Sequence, residues 1–431
     1  MVSELLSRGF RRARARAAGF ALVTAIGLSL LAPVGALAAP SIAGCPVFPA
    51  DNVWNTDISS LPVHGLSGAW LGNMGGAGRH LHPDFGSSGD PSAPYGIPYI
   101  VVNGSHAKVS VTFQYAGESD RGPYPFGPDT PIEGGQNAGG DRHALMVDSS
   151  SCTLYELYNA RYSSAGSTAG SGAVFNLRAN GPLRPATWTS ADAAGLPILP
   201  GLLRPEEVRA GVVNHAIRFT AQSTDRSFIW PARHQAGSAS NAALPPMGAR
   251  FRLKAGYDIS HFHGAAQAVL NAMKRYGLIL ADNGSNWYFQ GAADNSWDDT
   301  MINELKTVPA GAFDAVDESS LMIDPNSGQA RQPGGATGPV SNRAATSSAP
   351  AASAPGTAAP ATTATADATP LEQHEVAFAD PVVASTGRAA TATGGALAGQ
   401  SPPWQLAVGL AAGLLLAVGV GGAWLLRGRL Q

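Results

Sequence analysis

Asp141, Arg142 and His143 stand together in the chain, and Glu156 and Tyr158 follow after a turn-forming stretch at residues 149–152. If Asp148 pairs with Thr153 across that turn, antiparallel register sets His143 opposite Tyr158 and Leu145 opposite Glu156. His143, Glu156 and Tyr158 then share one face with Leu145, Val147 and Leu154. A carboxyl group among apolar neighbours titrates above its ordinary range, as a general acid working near neutrality requires. The same grouping also reads as a buried polar cluster that stitches a hairpin to a facing sheet.

A second group combines His215 and Arg218 with Trp230, Arg233 and His234. Period two puts His215 with Ile217 and Phe219 on an apolar face and turns Arg218 the other way. The run Trp230-Pro231-Ala232-Arg233-His234 leaves a strand for a Gly/Ser-rich loop, the kind of exit where binding residues gather. There an indole can stack a sugar ring and an arginine can hold an acid, or Trp230 can be a core plug. Asp282, Asn286, Trp287, Asp294, Trp297, Asp298 and Asp299 make a third, acidic and aromatic group. It lacks EF-hand spacing, and Asp298 and Asp299 are explained as first-turn helix residues. His80, His82 and Asp84 are zinc-type donors, but Pro83 and a Gly-rich flank give no helix to fix them, so no metal site is expected. Glu118, Asp120, Arg121 and Glu133 line a cleft or are solvated. The chain has no G-x-S-x-G elbow, Walker loop or H-E-x-x-H motif.

The elements that must position these groups are short. Apolar or alternating runs at 97–102, 108–115, 143–147, 153–158, 173–177, 215–220, 227–230 and 250–254 read as strands bounded by turn residues. Residues 261–276 carry Phe262, Ala265, Ala266, Val269, Met273 and Tyr276 on one stripe and stop at Gly277, so they read as a helix. A second helix is expected at 296–306. The runs 278–281 and 287–289 flank Asn283-Gly284, which predicts a hairpin. The expected class is mainly β, a sandwich, jelly-roll-like or barrel-like domain with one or two peripheral helices, plus a C-terminal transmembrane helix.

That last helix is residues 404–426, uncharged and followed by Arg427 and Arg429. It is long enough to span a bilayer, and the arginines favour a cytoplasmic tail at 427–431. At the other end, five arginines precede an apolar run and an Ala36-Leu37-Ala38 site, so residues 1–38 read as a signal peptide. The main domain, 45–324, is then extracellular or periplasmic. Residues 325–403, rich in Ala, Thr, Pro, Ser and Gly, read as a disordered stalk. The only cysteines, Cys45 and Cys152, are expected to form one disulfide in an exported protein, although Ile42-Ala43-Gly44-Cys45 also resembles a lipobox. A formal net charge of -2 with 13% charged residues and no basic stripe gives no reason to expect a nucleic-acid partner.

The blocks CPVFPADNVWN (45–55), GGDRHALMVD (139–148), TSADAAGLPILPG (189–201) and WPARH (230–234) resemble a set of exported bacterial proteins with no assigned activity. The resemblance implies export and carries no catalytic residue. The domain organisation is similar to that of secreted glycan-active proteins, an analogy of architecture alone.

The expected function is therefore a membrane-tethered, extracellular carbohydrate-active protein, a polysaccharide hydrolase with paired carboxylates and no cofactor. Glu156 is the expected proton donor and Asp141 or Asp282 the second carboxylate; His143 and Arg142 position substrate. A polysaccharide lyase with His143 or Tyr158 as base is the related alternative. Tyr158, Trp230, Arg233, His234 and Trp287 are the other expected substrate contacts. The contrasting expectation is a non-catalytic glycan-binding protein or adhesin whose Trp230, Trp287 and Trp297 offer exposed stacking faces. Expected partners are a polysaccharide or cell-surface glycan, the membrane, and a second copy held weakly through Gly409 and Gly413.

Overall fold

Strands in this chain are short because Gly, Pro and Ser interrupt nearly every apolar run, and the architecture is built from many of them. A computed structural model describes residues 39–332 except 77, 89, 91 and 92. Contacts divide the chain into two units, Met1–Ala358 and Ala359–Gln431. The second lies outside the described residues, as do the signal-like segment 1–38, the expected stalk from 333 onward, the apolar stretch 404–426 and Gly409 and Gly413. Among the described residues no helix is long and apolar enough to cross a membrane.

The strands are β1 (Ser41–Ile42), β2 (Cys45–Pro46), β3 (His82–Asp84), β4 (Tyr99–Val102), β5 (Val111–Phe113), β6 (Ala144–Asp148) and β7 (Thr153–Tyr158). They continue as β8 (Ser167–Ala169), β9 (Ser171–Asn176), β10 (Ile217–Ala221), β11 (Arg250–Leu253), β12 (Leu278–Asn283), β13 (Tyr288–Gln290) and β14 (Phe313–Val316). The described α-helices are α1 (Ser67–Asn73), α2 (Pro205–Arg209), α3 (Gly264–Arg275) and α4 (Asp299–Leu305). The protein is mainly β, as expected. The helices at 261–276 and 296–306 correspond to α3 and α4, and α1 and α2 join them.

A six-stranded sheet runs β14-β11-β12-β10-β13-β3, and a four-stranded sheet runs β4-β6-β7-β9. Between them lies one large core that holds Leu145, Val147 and Leu154 from the smaller sheet with Phe219, Phe251, Phe289 and Trp287 from the larger. The other face of the smaller sheet, with Ala144, Met146, Tyr155 and Leu157, closes a second core around Tyr124 and Phe126. Alternation along β6 and β7 feeds both cores, which is why these strands read as continuous apolar runs.

Two expectations fail here. The hairpin across Asn283-Gly284 does not form, because β10 lies between β12 and β13. β10 runs parallel to β12 and antiparallel to β13. The turn exists, but it carries the chain over the end of β10, where the Gly284 N–H donates to the Ala221 carbonyl. A Cβ on Gly284 would stand 2.9 Å from the Thr220 hydroxyl oxygen, so this crossing needs a glycine. Residues 227–230 make no strand either; Phe228 forms an isolated bridge to Met247 before the chain turns at Trp230-Pro231. In addition, the packed chain continues past Asp324. Gly328 accepts from the Val53 N–H, and Ala330 donates to the Asp51 carbonyl.

Cys45 and Cys152 are bonded, with Cα atoms 5.3 Å apart. The bond ties β2 to the turn between β6 and β7, so Cys45 is a disulfide partner here and the lipobox reading has no free thiol to act on.

Candidate functional site: a polar seam between the two sheets

The β6–β7 register is the one the sequence suggested, with Asp148 opposite Thr153 and Leu145 opposite Glu156. Just before β6, His143 sits 5.9 Å from the Tyr158 ring, centroid to centroid. His143 is buried. Its Nδ1 lies 2.7 Å from Glu133 Oε2, and its Nε2 lies 3.0 Å from the Ala191 carbonyl oxygen. Both neighbours are acceptors, so both ring nitrogens donate and the ring is an imidazolium. Burial works against that charge, but the Glu133 carboxylate raises the His143 pKa to about 9. Burial also pushes Glu133 up, yet the charge and hydrogen bonds of His143 hold it below its ordinary value. The Glu133 side chain keeps 29% of its surface exposed, so an ionised carboxylate reaches the opening of the seam.

The facing sheet supplies the second half. On β10, Phe219 packs against Phe251 and Trp287 at ring distances of 5.3 and 5.7 Å. Alternation therefore turns Arg218 and Thr220 away from that aromatic core. Arg218 Nε and Nη2 donate to Asp192 Oδ2 at 3.0 and 2.9 Å, and Nη2 lies 3.7 Å from Asp282 Oδ2. Plain alternation from Leu280 would aim Asp282 at the aromatic core. A bulge between Phe219 and Thr220 in the β10–β12 pairing sets Asp282 opposite Thr220 instead, on the Arg218 face. Burial and the nearby Asp192 raise the Asp282 pKa to about 7 against the pull of Arg218, while 26% of its side chain stays exposed. Asp192 is buried; burial pushes it up, opposed by Arg218 and by the Ala194 N–H that donates to it.

The segment 189–201 bridges these halves. Its Ala191 carbonyl holds His143, its Asp192 holds Arg218, and the Ile198 and Leu199 N–H groups donate to Glu156 at 2.9–3.0 Å. Glu156 is completely buried, and burial raises its pKa to about 7. It therefore lies beneath the seam, enclosed by its own hydrogen bonds, where no polymer can touch it. Asp141 is exposed at the rim. Tyr158 is half-buried, and its hydroxyl is pushed up by burial and by the charges of Asp141 and Asp282, which brings these three together.

The remaining expected contacts are structural. Arg142 is buried and donates to the carbonyls of Ala160, Gln136 and Ala138, so it clamps the loop that follows Glu133 rather than a substrate. Arg233 is buried and donates to the Arg184 and Pro325 carbonyls and to Asn326. Trp230 donates to the Ser327 carbonyl, and His234 Nδ1 lies 2.9 Å from the Ala193 carbonyl oxygen. Trp287 and Trp297 are buried, each bonded through its indole N–H, and present no stacking face. His215 is a core histidine between the Ala216 carbonyl and Glu207. In the third group, Asp298 caps α4 and Asp294 accepts from Ser296, and only Asp282 joins the seam.

Sequence reasoning passed over Asp192 and left Glu133 undecided. The signal for Asp192 is a lone carboxylate inside the small and apolar run 191–199, where a charge needs a partner. Glu133 offers none, since its pairing with His143 comes from a loop. Among the described residues no three metal-ligating side chains converge. A surface concavity of about 470 Å³ lies elsewhere, at the β4 edge, and is lined by residues such as Val101, His106 and Asp129. We place the candidate site at the seam despite that open space, because among the described residues the seam gathers perturbed titratable groups around partly exposed carboxyls. The chain matches no known protein family, curated protein or solved structure.

Proposed function

We propose that the protein is a membrane-tethered, extracellular polysaccharide hydrolase whose working carboxyls are Asp282 and Glu133. One observation carries this reading: two partly exposed carboxyls from different parts of the fold both feel the charges of His143 and Arg218, and their surroundings drive them to opposite protonation states. A group near neutrality and one held ionised at neutral pH are what acid-assisted cleavage of a glycosidic bond uses. Asp282 protonates the leaving oxygen. Glu133 supplies the negative charge that steadies the positive sugar ring or activates water. His143 and Arg218 position the two carboxyls without touching substrate. Glu156 is a structural partner of residues 198–199 beneath the seam, and Asp141 and Tyr158 offer rim contacts.

The extracellular placement rests on the signal-like 1–38 segment, the Ala/Thr/Pro-rich stretch before residue 404, the apolar 404–426 segment with its arginines, and the disulfide. A polysaccharide on or near the cell surface is the matching substrate, and no cofactor enters the reaction. The test is reducing-end release by the full chain in detergent micelles against a panel of soluble and insoluble polysaccharides. Release from at least one glycan is expected, with a loss of roughly 10²–10⁴-fold in Asp282→Asn and in Glu133→Gln. No product from any glycan, or undiminished release in both variants, overturns the reading.

A further inference from the structure

The polar face that carries Arg218 does not stop there. One step along β10 and β13 from the Phe219–Phe289 pair, Arg218 and Gln290 share a face, and Gln290 lies beside Asp84 on β3. A polar row therefore crosses β12, β10, β13 and β3, about 14 Å at the ordinary spacing of neighbouring strands.

At the far end of that row three side chains form a small built arrangement. Gln290 is 4% exposed, and its Nε2 donates to Asp84 Oδ2 at 3.2 Å. Its Oε1 is buried with no hydrogen-bond partner among the described residues. Tyr95 donates its hydroxyl to the other oxygen of Asp84, which fixes the ring while 45% of the residue stays exposed. Glu133 joins this end to the seam. Burial and the bond to Asp84 raise the Tyr95 hydroxyl first, and the Glu133 charge adds to them. The Glu133 loop also passes close by, since a Cβ on Gly135 would stand 3.6 Å from the Ala93 side chain.

We propose that Asp84, Tyr95 and Gln290 form a binding subsite for a further sugar unit of the glycan cleaved at Asp282 and Glu133; this rests on the reading above. The C–H face of a pyranose packs on the exposed Tyr95 ring. Its hydroxyls donate to the Asp84 carboxylate, an acceptor that Gln290 holds from beneath, so the site selects a neutral polyhydroxyl ligand over an anion.

The experiment uses the full chain in micelles carrying Asp282→Asn to block turnover, with cello-, chito-, xylo- and manno-oligosaccharides of two to six units as probes and ligand-observed NMR as readout. In one series the longer oligomers are expected to bind about 10-fold more tightly than the dimer. Adding Tyr95→Ala removes that gain and leaves dimer binding unchanged, consistent with about 1.4 kcal/mol for the lost stacking. Asp84→Asn acts in the same direction, and the thermal midpoint of each variant, measured beside binding, separates loss of the subsite from loss of the fold. Equal affinity for the long oligomers in parent and variants, or no binding of any probe, overturns the subsite. Tyr95-dependent binding with no cleavage by the unblocked chain sustains the subsite and sinks the hydrolase reading. Cleavage whose length preference ignores Tyr95 does the reverse.

Discussion

A carboxyl group takes its protonation state from what it touches, and Asp282 and Glu133 touch different things. Asp282 stands near Asp192 and is pushed up to about 7; Glu133 is bonded to the His143 imidazolium and is held low. Turnover is expected to fall on the alkaline side near pH 7 as Asp282 loses its proton, and on the acid side below the ordinary carboxylate range as Glu133 gains one. A pH–rate profile that loses only its alkaline limb in Asp282→Asn checks the assignment. Stability follows the same groups. The folded pKa of His143 is raised above its ordinary 6.5, so its contribution is complete below about 6.5 and lost as pH rises through about 9. The raised carboxyls Glu156, Asp282 and Glu318 act in the same direction, complete below about 4.5 for the two glutamates and about 3.8 for Asp282, and lost through about 7. Glu133 and Glu207, held low, lose theirs as pH falls below about 4.5. The thermal midpoint is therefore expected to peak near pH 5 and to decline up to pH 9, as calorimetry across that range would show.

Between elements, the contacts that matter cross from one sheet to the other through segment 189–201. Glu156 receives the Ile198 and Leu199 N–H groups there. Glu156→Leu leaves both unpaired at about 1–3 kcal/mol each, so urea unfolding is expected to show the loss while the folded fraction keeps its turnover within a few fold. A drop of two orders of magnitude per folded molecule would instead return Glu156 to the chemistry. The bulge in the β10–β12 pairing is the other element-scale device. It turns Asp282 from the aromatic side to the Arg218 side, and the continuous apolar run 278–281 that precedes Asp282 gives no sign of it. The β6–β7 hairpin was legible because a polar turn separates two regular runs. The β12–β13 pairing was not, because a strand from sixty residues earlier in sequence, β10, occupies the place between them (roughly, on chain numbering).

At the scale of the molecule, the disulfide closes a span of 107 residues between Cys45 and Cys152. In the chain-entropy account its removal costs about 4–5 kcal/mol, so Cys152→Ser or reduction should lower the urea midpoint and steepen the slope as the denatured chain expands. An unchanged midpoint would show that the packing of β2 alone holds this end. The folded unit also reaches past Asp324, since Arg233 and Trp230 bind the 325–327 carbonyls and side chains. Composition placed the boundary earlier because Pro325, Asn326, Ser327 and Gly328 look like linker; they are ordered by donors from residues nearly a hundred positions away.

The sequence by itself determined the mainly β class, the disulfide, the β6–β7 register and the positions of the two longer sequence-predicted helices. Each is a local or two-body matter, fixed by alternation, helical stripe or the presence of only two cysteines. Which polar groups meet was decided by tertiary structure. His143 finds Glu133 on a loop, Arg218 finds Asp192 in a bridging segment, and Asp282 reaches them through a bulge. Those encounters depend on strand order and on the burial of every unpaired charge, which are properties of the whole packed chain and leave no periodic trace along it.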